Sequence, residues 1–117
     1  MNSKEHIDMK KIYSLSADNR LKIQDGWIRR SIGQILLYID NNHLSDAEKW
    51  IKSAIKADRQ NATKWNFGMD FAVYAEVFKR RGDQVKAKEK LNEAIKILNN
   101  CGADGWVEKY SEELVEL

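Results

Sequence analysis

Two histidines, one cysteine and six glycines are the residues from which this sequence could build metal, thiol or phosphate chemistry. His43 has Asp46 three residues on, the beginning of a metal site. A closed structural site needs about four ligands at set spacing, however, and Cys101 is the single thiol while His6 lies far away. His43 is expected to be a solvated turn residue. Cys101, beside Gly102 at a helix end, could act as a nucleophile only with a paired base that no pattern supplies, so a small, partly buried filler is expected. Gly102 to Gly105 comes nearest to a phosphate-cradling loop, but follows no strand and reads as a turn between helices. Glu89 and Glu93 fall among Lys86, Lys88, Lys90 and Lys96, the pattern of a solvated helix face. No acid–base pair set in apolar surroundings is visible. The chain is therefore expected to have no catalytic residue, metal or cofactor, and not to be an enzyme.

The basic stretch Lys79, Arg80 and Arg81, followed by Lys86, Lys88 and Lys90, could meet phosphates. Glu76, Asp83, Glu89 and Glu93 interrupt it, no aromatic residues interleave, and three cations in a last helical turn suit the helix dipole. Across the chain 20 basic residues face 18 acidic ones, a balance too even to imply a nucleic-acid or membrane partner. One cysteine permits no intrachain disulfide and points to a reducing compartment. No apolar run approaches the ~20 residues of a membrane span. Residues Met1 to His6 lead into no signal-peptide core, and the sequon at Asn61 to Thr63 has no meaning without one. A cytoplasmic protein is expected.

The elements that hold these residues follow from composition and repetition. A chain of 117 residues, 43% apolar and 32% charged, fits one folded domain, and the absence of proline fits helices joined by short connections. Residues 45–56 match residues 85–96 at a shift of forty: Ala47 falls on Ala87, Ile51 on Leu91, Ala54 on Ala94, Ile55 on Ile95 and Lys56 on Lys96. The same shift places Trp27 on Phe67, Tyr38 on Phe78, Asn42 on Gly82 and, carried on, Phe67 on Val107. Apolar residues recur every three to four positions, so each copy reads as a pair of helices. The spacing predicts a first helix near 4–14, long helices near 19–41 and 62–81, their partners near 46–58 and 84–100, and a closing helix near 105–116. Asn42 and Gly82 suit left-handed helix ends, and Gly102 is expected to end the helix near 84–100. Ser45 with Glu48 has the capping-box pattern, while Asp83 and Asp104 can cap the helices that follow them. The chain is one domain: residues 1–18 a capping helix, 19–58 repeat one, 59–98 repeat two and 99–117 a closing helix.

Neither pair can bury its apolar stripe alone, so the pairs should stack. The alanines let helices approach closely, while Tyr38 and Phe78 are expected to fill the space between. The spacing of Ala75, Phe78, Gly82, Ala87, Leu91 and Ala94 resembles the tetratricopeptide repeat, and Ile35, Tyr38, Asn42, Ala47, Ile51 and Ala54 occupy the same places in the first copy. Two features depart from the family, a period of forty, longer than the usual one, and the lack of a closing proline; the longer period resembles that of divergent repeats in large bacterial signalling proteins. The segment from Asn99 to Tyr110 also looks like the end of such an array. The resemblance implies an all-α stack of antiparallel helix pairs wound as a right-handed superhelix. It further implies a groove, lined by the first helix of each pair, that holds a peptide or helix of a protein partner. Its positions here would be Arg29, Ile32, Leu36 and Ile39 with Met69, Ala72, Glu76 and Lys79. The alternatives are a structural or oligomerising element of a larger signalling protein and, behind that, a nucleic-acid-binding helical repeat.

The helix near 19–41 is apolar around most of its circumference, through Trp27, Ile28, Ile32, Ile35, Leu36, Leu37, Tyr38 and Ile39. The helices near 46–58 and 62–81 are expected to cover part of it, and the first helix, with Ile7, Met9, Ile12 and Leu15, another part. Any remainder would form a homodimer contact or dock a preceding repeat, or coverage would be complete within the monomer. Trp27, Trp50, Trp65 and Trp106 are expected to pack between repeats with their indole N–H groups near the surface.

Overall fold

The computed structural model of the chain describes residues 25–61 and 64–117. They form five α-helices: α1 (Asp25–Ile39), α2 (Leu44–Asn61), α3 (Lys64–Arg81), α4 (Gln84–Asn100) and α5 (Asp104–Glu116). No strand occurs among the described residues, so the fold class is all-α. The helix expected near 4–14, with His6, Ile7, Met9, Ile12 and Leu15, lies outside the described residues, as does the start of the helix expected at 19–41.

Two helix ends follow directly from glycine. Gly82 and Gly102 adopt φ of 80° and 76°, where a Cβ would clash with the backbone. In both places the residue after glycine bonds back into the helix: Asp83 N–H donates to the Phe78 carbonyl at 2.9 Å and Ala103 N–H to that of Leu98 at 3.0 Å. The Asp83 carboxylate then accepts from Lys86 N–H at 3.1 Å and caps α4. The other expected caps are not formed. Asn42 lies in a short 3-10 turn, Asn41–His43, where the Asp40 carboxylate accepts its N–H at 2.9 Å. Because α2 already begins at Leu44, Ser45 falls inside the helix, and Glu48 is drawn to Arg81 and Tyr74 of α3 instead. Asp104 is the first residue of α5 rather than its cap; Ala103 stands there without a side-chain bond.

The broadest contacts join α1 to α2 and α3 to α4; α2 lies on α3, α5 closes against α4, and α1 also reaches α3. Ala47, Ala54, Ala87 and Ala94 have no exposed surface, and Ile51 and Leu91 lie fully buried on the same stripes. The first helix of each pair contributes to the closeness. A Cβ at Gly33 would lie 2.6 Å from Ile51 Cγ1, and one at Gly68 would lie 2.7 Å from Leu98 Cγ. Where four alanines and two glycines bring helices together, added volume has nowhere to go. Ala54→Leu or Ala94→Leu is therefore expected to cost about 1–3 kcal/mol, and a thermal melt without loss for either variant would misplace this seam.

One expected packing role is corrected. Phe78 is buried, but Tyr38, its partner under the forty-residue shift, is 79% exposed, and Ile35 is exposed where Ala75 is buried. The repeat preserves residue type but not surroundings. Helix α3 contacts α1, α2 and α4, whereas α1 has only α2 and α3 as major neighbours among the described helices. No described helix is long and apolar enough to cross a membrane.

Candidate functional site

Helices α1, α3 and α5 enclose a cleft of about 230 Å³. Leu37 from α1, Ala72 and Val73 from α3 and Tyr110 from α5 give it a buried apolar floor. Gln34 and Tyr38, Glu76 and Arg80, and Lys109 and Glu113 supply the rim from the same three helices. Ion pairs tie the walls together. Arg80 donates to Glu76 at 3.0 Å and to the Leu37 carbonyl at 2.8 Å, joining α3 to α1. Lys79 lies 3.5 Å from Glu76 and 4.0 Å from Glu113, joining α3 to α5. The Lys109 ammonium stands over the rings of Trp106 and Tyr110, at 5.1 and 5.7 Å from their centroids. Burial, followed by the Glu113 charge, pushes the Tyr110 phenol up to about 12 despite Arg30. It therefore remains a donor, directed at Met69 Sδ at 3.9 Å.

The groove positions implied by the sequence divide three ways. Ala72 and Glu76 line the cleft, and Lys79 braces it through its two carboxylates. Ile32, Leu36 and Met69 lie in the core, and Ile39 is half-buried against it. Arg29 bonds Asp25 at 2.8 Å, and its guanidinium carbon lies 6.0 Å from the Trp50 ring centroid on α2. Sequence reasoning missed the residues from α5, although the repeat pointed to them: the forty-residue shift takes Met69 to Lys109 and Val73 to Glu113.

Elsewhere the candidate residues are engaged structurally. His43 Nδ1 lies 2.8 Å from Asp40, not beside Asp46, and no group of three or more metal-ligating side chains occurs among the described residues. Cys101 is exposed rather than a partly buried filler, because it stands at the C-cap of α4, with Sγ 3.4 Å from the Leu98 carbonyl. In the basic stretch Lys79 and Arg80 meet Glu76, and Arg81 bonds Glu48 at 2.6 Å. Burial opposes ionisation of Glu48, but the Arg81 bond and charge, with the Tyr74 hydroxyl, hold its carboxyl below the ordinary value. Trp65 and Trp106 meet edge to face, with centroids 6.3 Å apart, joining the start of α3 to α5.

A second polar constellation lies inside the molecule, contrary to the expectation of no carboxylate pair in apolar surroundings. Arg30 of α1, Asp58 of α2 and Asp70 of α3 are 4%, 1% and 0% exposed. Arg30 Nη1 donates to Asp70 Oδ1 at 3.0 Å and to the Asn66 carbonyl and Oδ1 at 3.1 Å each, and Trp65 stacks 5.7 Å from the guanidinium. Neither Asp58 oxygen has a donor, nor has Asp70 Oδ2. Burial, then the Asp58 hydrogen bond and charge, push Asp70 up to about 9, with Arg30 opposing. Gly26 permits the arrangement, since a Cβ there would collide with the Asp58 carboxyl.

Comparison with protein-family models, curated proteins and solved structures gives no match. The functional reading therefore rests on the cleft between α1, α3 and α5.

Proposed function

We propose that this chain is a non-catalytic protein-interaction scaffold of tetratricopeptide-like type, with the helix pairs wound as a right-handed superhelix. It binds a peptide or helix of a partner in the groove between α1, α3 and α5. The observation that carries this reading is the cleft itself. It opens between the first helix of each pair and the closing helix, and sets an apolar floor inside a rim of both charges. Such a floor accepts an apolar anchor, and the rim can pair with a backbone or charged side chain on either side of it. The exposed Tyr38 ring is the large amphipathic contact on that rim.

Affinity capture, followed by titration of the captured partner, tests the assignment. The double variant Glu76→Ala with Lys79→Ala, and separately Tyr38→Ala, should weaken binding by about tenfold or more, while helicity is retained. Unchanged affinity in both would move the site out of the cleft.

One observation favours the second reading, an oligomerising element. Trp27 and Ile35 expose large apolar surface on α1. Light scattering at micromolar concentration separates the two, because a self-associating chain gains mass with concentration while a peptide-binding monomer does not. A nucleic-acid role stands third, since carboxylates already hold Lys79, Arg80 and Arg81.

A further inference from the structure

The internal constellation presents a charge problem that the fold must solve. One guanidinium faces two carboxyl groups, and α1, α2 and α3 close around all three. Arg30 uses Nη1 on Asp70 and Asn66, leaving no bond from it to Asp58. Two ionised carboxylates here would be a buried excess negative charge, with three oxygens lacking donors. Carboxyl groups that meet in such a site avoid this by retaining a proton, which gives one of them an O–H to donate to the other.

We propose that Asp58 and Asp70 hold one proton between them, and that this shared proton, with Arg30, is the clasp by which the first helix pair docks on the second. With one proton the site is neutral: a guanidinium, one carboxylate and one carboxylic acid. The O–H bridges α2 to α3, and Arg30 bridges α1 to α3, so each helix of the junction is held by a buried polar bond. Gly26 seals the site by letting the first turn of α1 lie directly on the Asp58 carboxyl.

No other described group supplies the missing charge. Asp70 interacts electrostatically with Asp58 from α2 and Arg30 from α1. Helix α4 presents Leu98 and Ile97 against Gly68, two residues from Asp70. Helix α5 presents Tyr110, which feels Arg30 but stays neutral. Arg59, next to Asp58 in sequence, lies over the Phe67 ring at 5.5 Å.

The clasp makes folding a proton-uptake reaction. An aspartate in the unfolded chain ionises near pH 4, whereas Asp70 retains its proton in the fold up to about 9. The contribution is fully present below the unfolded value, declines as the pH rises through that window, and falls no further once the folded group has ionised. Within the window one bound proton changes the folding constant about tenfold per pH unit.

Urea unfolding of the chain between pH 5 and pH 8.5, with Asp70→Asn and Asp58→Asn alongside, tests this. Either asparagine supplies an N–H donor that needs no titrating proton. The wild-type folding constant should therefore fall, relative to each variant, by about tenfold per pH unit. Parallel curves for wild type and both variants would overturn the proposal. Infrared spectroscopy of the native wild type provides a second readout that needs no variant to fold. The carbonyl stretch of a neutral carboxylic acid should be present at pH 7 and vanish above the folded pKa, and its absence at pH 7 would equally overturn the shared proton.

Discussion

Arg30→Met lowers the stability of the fold by about 3–5 kcal/mol, measured as a fall in unfolding free energy in urea at pH 7. Methionine is close to arginine in length and can follow the arginine stem toward Trp65 and Asn66, so little of the loss comes from volume. What disappears is the guanidinium that Asp70 and Asp58 face, together with three hydrogen bonds to Asp70 and Asn66. Removing one partner from a buried pair leaves the other charge without compensation, and the price exceeds what the pair adds relative to an apolar core. Arg30→Lys should recover part of the loss, because it restores the charge but not the planar fork. A loss below about 1 kcal/mol for Arg30→Met would mean that neutralisation of both carboxyl groups replaces the guanidinium at little cost.

Local rules found the helices because the information is local. Ala47, Ala54, Ala87 and Ala94 are small residues on periodic stripes flanked by lysine and glutamate, and all four are fully buried. Gly82 and Gly102 end helices because their own backbone must turn left-handed. Tyr38 and Phe78 show where locality fails. Their letters and spacing agree, but among the described helices α3 packs against α1, α2 and α4, whereas α1 packs against α2 and α3. Ser45 and Glu48 fail for a related reason: the capping signature was present, but the Asp40 turn and Arg81 on another helix gave the chain better partners. Asp58 left a readable trace, since it follows Ala47, Ile51, Ala54 and Ile55 on a core stripe and falls on Leu98 under the forty-residue shift. A charge at a core step demands a partner. That the partners would be Arg30 and Asp70, themselves forty residues apart, required knowing how the pairs stack.

This equivalence of Asp58 and Leu98 leads to the other large effect. Leu98→Ala should cost about 2–5 kcal/mol, measured by urea unfolding at fixed pH. Leu98 has no exposed surface and lies on α4 against Gly68 of α3, where a Cβ on the glycine would already overlap it. The backbone around it is pinned, since the Leu98 carbonyl accepts the Ala103 N–H that locks the turn into α5. A pinned backbone facing a glycine cannot collapse into the space left by the lost methyl groups, so the cavity term stays near its full size. At this equivalent position the second helix of the first pair sets a carboxyl against Gly26, while that of the second pair sets a leucine against Gly68. The second seam should accordingly have no proton dependence: the Leu98→Ala loss should be the same at pH 5 and pH 8.5, while that of Arg30→Met changes with pH. A Leu98→Ala loss under about 1 kcal/mol would show that α3 and α4 are held elsewhere along their length.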